Sequence, residues 1–284
     1  MTARKKEWFD DDSFWRDLYP FLFTEKRFAD APDEVKKALT LTKPKGKSVL
    51  DLCCGPGRSA IALAKRGFAV TGVDKARYLL EKARARARAA KVKIEWVQQD
   101  MRDFVRPEAF DLILNMFTSF GYFDDKQDDV KTLEHMFASL KAGGACLIHV
   151  KGKEGLAKIF QPLTSNVLPD GTIVVQRHEI FDDWSRIRNE WILIRKGKAK
   201  SFKFHHTIYS GQELKACLEQ VGFTNVALYG NLDGDEYGPD AQWLIAVARK
   251  PGTRSASKSA RRTKTSGRRR KIAAGATRLR QARK

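Results

Sequence analysis

Short apolar runs alternate with amphipathic stretches along the first 150 residues. The runs at 48–52, 69–73, 93–97, 110–115 and 144–150 have the length and composition of buried strands. Between them, 58–66, 76–90 and 127–140 carry helical spacing. In 76–90, Leu79, Leu80, Ala83 and Ala87 recur at three- and four-residue intervals while Arg and Lys fill the opposite face. Strands alternating with helices of this length predict a parallel sheet. Upstream, 13–23 predicts a short amphipathic helix stopped near Pro20, and 32–41 predicts a second helix opened by Pro32. The rhythm changes after Lys151. Segments 172–181, 187–195 and 202–209 read as antiparallel strands, joined by turns at 182–184 and 196–198. Ser210 with Glu213 three residues on predicts a capping box opening a helix over 210–221, and 225–229 and 242–249 read as two last strands.

In a parallel α/β sheet, ligands lie in the crevice at the carboxyl ends of the strands. The polar residues that follow the apolar runs are therefore the candidates for chemistry. The first run leads into Asp51, Cys53, Cys54, Gly55, Pro56 and Gly57; the second ends on Asp74; the third leads to Asp100 and Met101; the fourth ends on Asn115. Gly55 and Gly57 let the backbone pass close to a ligand, Asp74 suits a ribose diol, and Asp100 suits an exocyclic amine. A dinucleotide reading also fits Gly55, Gly57 and Ala60 as GxGxxA. Against it stand the acid at Asp51, the acid after the third strand, and the antiparallel strands where a second βαβαβ half belongs.

With these residues in order, the chain resembles the class I S-adenosylmethionine-dependent methyltransferases over roughly residues 8 to 250. Segment 51–57 is similar to that family's acidic-x-Gly-x-Gly-x-Gly loop, with Cys53 standing where the first glycine usually falls. Segment 112–123 (LILNMFTSFGYF), preceded by Asp100-Met101-Arg102, resembles the small-molecule branch that includes aminosugar N,N-dimethyltransferases. The resemblance implies a Rossmann-like seven-stranded sheet with its last strand antiparallel, an N-terminal helical cap over 1–45, a methyltransferase domain over 46–250 and a small antiparallel lid over 171–209. It also implies S-adenosyl-L-methionine as cofactor, with Asp51, Cys53, Gly55, Gly57, Arg58, Asp74, Asp100, Met101 and Asn115 around it. Asp51 is then expected to hold the ammonium, Arg58 or Arg27 the carboxylate, and Asn115 to floor the methionine portion.

Methyl transfer is an in-line displacement that needs positioning rather than a protein nucleophile. An amine acceptor must be unprotonated, which invites a base. His149, at the end of the fifth strand, is the candidate, with Tyr19 and Tyr122 as acceptor contacts. His205 and His206 are weaker candidates. Phe14, Trp15, Phe117 and Phe120 are further pocket aromatics, and Asp233, Asp235 and Tyr237 candidate gating residues.

Charge adds a competing partner. Of 54 basic residues 13 lie in 252–284, where no acid occurs, leaving 41 basic against 34 acidic in the rest. That tail has too little apolar content to offset its ordering entropy, so 251–284 is expected to be disordered and to offer a non-specific nucleic-acid contact. A nucleic-acid- or ribosome-associated methyltransferase, or a catalytically silent S-adenosylmethionine-binding module, are the alternatives to a small-molecule enzyme. The segment Asn115-Met-Phe-Thr-Ser has neither the paired prolines nor the cysteine of common base methylation routes. Cys53, Cys54, Cys146 and Cys217 lack metal-ligand spacing, so no metal is expected, and free thiols point to the cytoplasm. No apolar run reaches the ~18 residues of a membrane span.

Overall fold

A computed structural model describes residues 6–252. The expectations for the basic tail fall, except for its first residues, outside them. The chain opens with a short 3-10 helix, Trp8–Asp10, then α1 (Asp12–Leu22) and α2 (Glu25–Thr42). Alternation follows: β1 (Ser48–Leu52), α3 (Arg58–Lys65), β2 (Ala69–Asp74), α4 (Arg77–Ala89), β3 (Glu95–Gln98), β4 (Phe110–Asn115), α5 (Lys126–Ser139) and β5 (Leu140–Val150). Then come α6 (Lys153–Ile159), β6 (Leu163–Val167), β7 (Ile173–Phe181), β8 (Arg186–Arg195), β9 (Lys198–Thr207), α7 (Gly211–Val221), β10 (Thr224–Tyr229) and β11 (Leu244–Arg249).

Seven strands form one sheet in the order β10-β11-β5-β4-β1-β2-β3. The strands from β3 to β5 pair in parallel, whereas β11 runs antiparallel to both β5 and β10. The Rossmann-like sheet with an antiparallel last strand is therefore present. Alternate side chains go to opposite faces. Leu50, Ile113, Ile148 and Ala246 pack into one buried cluster, and Val49, Leu112, Leu147 and Ile245 into the other. The order reverses between β1 and β4, which places a crevice at their carboxyl ends.

The antiparallel lid is a four-stranded sheet, β6-β7-β8-β9, rather than three strands. Its extra strand, β6, has Leu163 and Val167 exposed, so its sequence carries no core-facing alternation to read. Two helix boundaries also differ from expectation. Helix α1 runs through Pro20 to Leu22, and α2 opens at Thr24, whose side chain caps it, so that Pro32 lies inside the helix. A proline interrupts one backbone hydrogen bond but does not end a helix whose apolar face is held by packing. Here Phe14, Leu18, Ala31, Val35 and Ala38 supply that face. Helix α7 begins as expected, with the Ser210–Glu213 capping box formed in both directions.

Candidate active site

Four strand ends build the rim of one cavity. Asp51, on β1, is 2 % exposed and its Oδ2 has no hydrogen-bond partner among the described residues. Burial pushes its carboxyl up to about 7, against a backbone N–H from Ala60 and the nearby Arg58 cation, which lower it. After β1 the chain turns sharply, with Cys53, Gly55 and Gly57 all in the left-handed region (φ 60°, 55° and 82°). A Cβ on Gly57 would lie 2.8 Å from the Trp96 ring and 3.2 Å from Ala83 Cβ, so the glycine serves both the turn and the packing of α3 on its neighbours. Cys53 accepts the strain that a glycine would avoid. Its Sγ lies 3.3 Å from Met101 Sδ, and burial pushes its thiol far up, which leaves it no nucleophile.

Asp74, at the end of β2, ties this turn down: Oδ2 accepts from the Gly55 N–H at 2.7 Å and Oδ1 from the Ala76 N–H at 2.8 Å. Burial raises it to about 6, opposed by those backbone donors. Two carboxylates of raised pKa at adjacent strand ends form a negatively polarised floor that a cation relieves.

Asp100 is placed differently. Its Oδ1 accepts from the Arg102 N–H and Nε, and its Oδ2 from Arg102 Nη2 at 2.7 Å and Lys75 Nζ at 3.1 Å. It faces the cavity, but four donors already occupy its acceptor positions, so an exocyclic amine has to displace one of them. Although burial opposes it, these partners hold its carboxyl down at about 2. Arg102 and Lys75 also bind Glu7 and Asp10, which strap the N-terminal 3-10 helix across the rim. Sequence reasoning missed Lys75 and this strap. The run Glu7-Trp-Phe-Asp10 was the available signal, yet its partners stand more than 60 residues away.

Away from the rim the cavity wall is aromatic. Trp8, Phe14 and Trp15 come from the N-terminal segment, Phe117 and Tyr122 from the loop after β4, and Trp191 and Phe204 from β8 and β9. Trp8 lies 4.8 Å from Phe204 and 5.2 Å from Tyr122, and Trp191 lies 5.2 Å from Phe204, so the lid sheet and the strap meet over the cavity. The loop is pinned to the lid: Thr207 N–H donates to Gly121 O at 2.7 Å, and a Cβ on Gly121 would sit 2.8 Å from Thr207 O. Burial pushes the Tyr122 phenol well up, so it stays protonated.

Of the residues expected at the site, Asp51, Cys53, Gly55, Arg58, Asp74, Asp100, Met101 and Tyr122 line the cavity. Gly57 caps α3 just behind it. Asn115 lies beneath, donating from Nδ2 to Leu52 O at 3.3 Å, with Oδ1 buried and unpartnered among the described residues. His149 and Tyr19 lie outside the lining. Strand alternation sends His149 to the same face as Leu147, where it packs between Phe117 (4.9 Å) and Trp243 (4.3 Å). Burial and the Lys151 and Arg58 cations push it down to about 3, so it stays neutral behind Phe117. Tyr19 turns to α4, where its hydroxyl accepts from Arg86 Nε at 3.4 Å. Phe120 is buried against Tyr209, His205 pairs with Asp124, Asp233 with Lys37, and Tyr237 with Glu154.

The residues present suit S-adenosylmethionine by their chemistry. The unpartnered Asp51 oxygen suits an ammonium, Arg58 a carboxylate, Asp74 a diol, and ring faces a sulfonium. The sheet order and the glycine turn are those of the class I methyltransferase fold, and the protein is an S-adenosylmethionine-dependent methyltransferase. Residues 49–144 match a family profile described as a methyltransferase domain. The chain is 26 % identical over 256 residues to GWCH70_2453 of Geobacillus sp. (strain WCH70), provisionally named a methyltransferase, covering 85 % of this chain and 99 % of that one. Among solved structures, an S-adenosylmethionine-dependent methyltransferase from Clostridium acetobutylicum shares the fold, with TM-score 0.70 and 16 % identity over 84 % of this chain and 97 % of that one. The sugar N-methyltransferase KedS8 from Streptoalloteichus sp. shares it too, with TM-score 0.62 and 20 % identity over 88 % and 99 % of the two chains. Among the described residues, no helix is long and apolar enough to cross a membrane.

Proposed function

We propose that the enzyme methylates a nitrogen or oxygen of a small-molecule acceptor bound against the aromatic wall. The roofed cavity carries this reading: the strap and lid rings approach within 4.8 Å, which favours a compact acceptor over a polymer strand. KedS8, named for a sugar nitrogen acceptor, supports it. Bound S-adenosylmethionine supplies a methyl group on a sulfonium, whose carbon bonds to the acceptor lone pair as the C–S electron pair returns to sulfur. In this reading Asp51 orients the amino acid end with Arg58, Asp74 takes the ribose hydroxyls, and Met101 and Leu79 offer apolar surface to the base. Asp100 positions the strap through Arg102 and Lys75, and Asn115 supports the floor. The wall excludes water and aims the acceptor, which is where most of the acceleration arises. With His149 neutral and behind Phe117, the acceptor's proton leaves to solvent.

The 13 basic residues of 252–284 favour a second partner, nucleic acid bound without sequence preference. The cytoplasm, supported by four free thiols, is part of the same proposal. Incubation with methyl-labelled S-adenosylmethionine, a small-molecule extract and RNA tests the main reading. Label is expected in small molecules; label confined to RNA overturns it.

A further inference from the structure

The acceptor end of the cavity is more specific than its class. Its surface is mostly ring faces, with Leu22 and Phe23 beside them; of the two hydroxyl residues on the loop between Phe117 and Tyr122, Thr118 and Ser119, Ser119 already donates to Met116 O at 3.0 Å. A sugar presents hydroxyls around its whole edge, and each needs a polar partner once buried. Two donors stand ready there. Trp8 Nε1 and Trp191 Nε1 are both buried and have no acceptor among the described residues, although both side chains line the cavity. Trp15 Nε1, by contrast, is already used, donating to Phe9 O at 2.9 Å. Buried indole N–H groups ordinarily find an acceptor, so this pair marks positions for ligand oxygens.

The carboxylates of the lining, Asp51, Asp74 and Asp100, sit at the rim with Lys75, while Arg27 donates to Leu22 O at 2.6 Å and Arg58 stacks on the Phe117 ring at 3.9 Å, where the rim meets the wall. At the aromatic end the titratable side chain is Tyr122, a protonated phenol that takes no proton. A phenol or alcohol acceptor has to lose its proton inside the closed cavity; an alkyl amine gives up one proton to solvent before it enters and then brings its own lone pair. The positive charge that an amine acquires on methylation is stabilised by ring faces.

We propose that the acceptor is an arylalkyl or alkyl amine carrying one or two hydrogen-bond-accepting oxygens, and not an aminosugar. This rests on the small-molecule reading above and sharpens it.

The full-length protein, saturated with S-adenosylhomocysteine, is titrated with 3,4-dimethoxyphenethylamine, phenethylamine and glucosamine, following tryptophan fluorescence. Turnover of each is measured separately with S-adenosylmethionine. The dimethoxy amine is expected to bind at least tenfold tighter than phenethylamine and glucosamine, and to be methylated with the highest kcat/KM. Trp191→Phe keeps an aromatic ring in the wall and removes the donor together with part of the indole surface. It should erase most of the difference between the two arylalkyl amines while S-adenosylhomocysteine binds unchanged. Glucosamine binding or turning over as well as the amines, or no saturable binding of either amine, overturns the proposal and leaves methyl transfer to another acceptor intact. Failure of S-adenosylhomocysteine itself to bind overturns the functional reading together with it.

Discussion

The rim and the wall of this cavity are built by opposite means. The rim is made of residues at the ends of neighbouring strands, fixed by backbone donors and by glycines whose φ no other residue adopts cheaply. The wall is made of rings from three distant segments, held by packing and by the backbone hydrogen bond from Thr207 to Gly121. The rim therefore recognises charge at fixed positions, and the wall recognises shape and apolar surface. A change at the rim should show in cofactor affinity; a change in the wall should show in acceptor choice or stability.

The largest effect expected breaks the rim's backbone. In Gly57→Val a β-branched residue has to adopt φ 82° with its Cβ 2.8 Å from Trp96. The conformational and steric terms together cost about 3 kcal/mol or more, and the turn that Asp74 holds is displaced. Thermal unfolding and calorimetry should show a lowered Tm and no measurable cofactor binding; a Tm within one or two degrees of wild type would count against the stated role of this glycine.

Next is a variant that separates binding from folding. Asp51→Asn keeps the shape and removes a carboxyl that burial penalises. Cofactor affinity should fall about 100-fold, the scale of one lost charge-assisted contact in a dry site, while Tm holds or rises. Its pH behaviour sharpens the point. Burial raises Asp51 to about 7 and Asp74 to about 6, above their unfolded values. The stability that these two carboxyls contribute is present in full below about pH 4 and is lost as pH rises through 6 and 7. Cofactor affinity moves the other way, because an ammonium and a diol both favour the ionised forms. Wild-type Kd should therefore weaken as pH drops from 8 to 5.5, and Asp51→Asn should lose the upper part of that dependence. A flat wild-type profile contradicts the assignment.

The same contrast explains how much was legible in sequence. Asp51, Gly55, Gly57 and Asp74 were readable because a strand end, a glycine turn and an acid are local, and sheet topology brings them together without further information. Asp100 was readable as a rim residue but not as a partner of Arg102 and Lys75, since a second cation reaching the same carboxylate is a tertiary fact. The wall was barely readable. Trp8, Trp191 and Phe204 meet only after β8 and β9 fold over the 3-10 helix, and an aromatic in a strand looks the same whether it faces a core or a cavity. His149 shows the limit of placing a residue by strand end alone: its parity on β5 decides the face, and the parity sends it to the cluster of Leu147. Pro20 and Pro32 misled in the opposite sense, because local punctuation yielded to apolar faces already anchored in the core.

The smallest effect tests whether the wall is independent of the rim. Trp15 donates from Nε1 to Phe9 O at 2.9 Å, a bond that holds the start of α1 against the 3-10 helix. Trp15→Phe keeps most of the ring surface and leaves that carbonyl without its donor. One partly buried neutral hydrogen bond contributes about 1 kcal/mol, so Tm should fall by a few degrees. Cofactor affinity should stay within twofold, since the strap remains tied to the rim by Glu7 and Asp10 through Arg102 and Lys75. If calorimetry instead shows a tenfold weaker cofactor, the strap transmits strain from wall to rim, and the two regions act as one device rather than two.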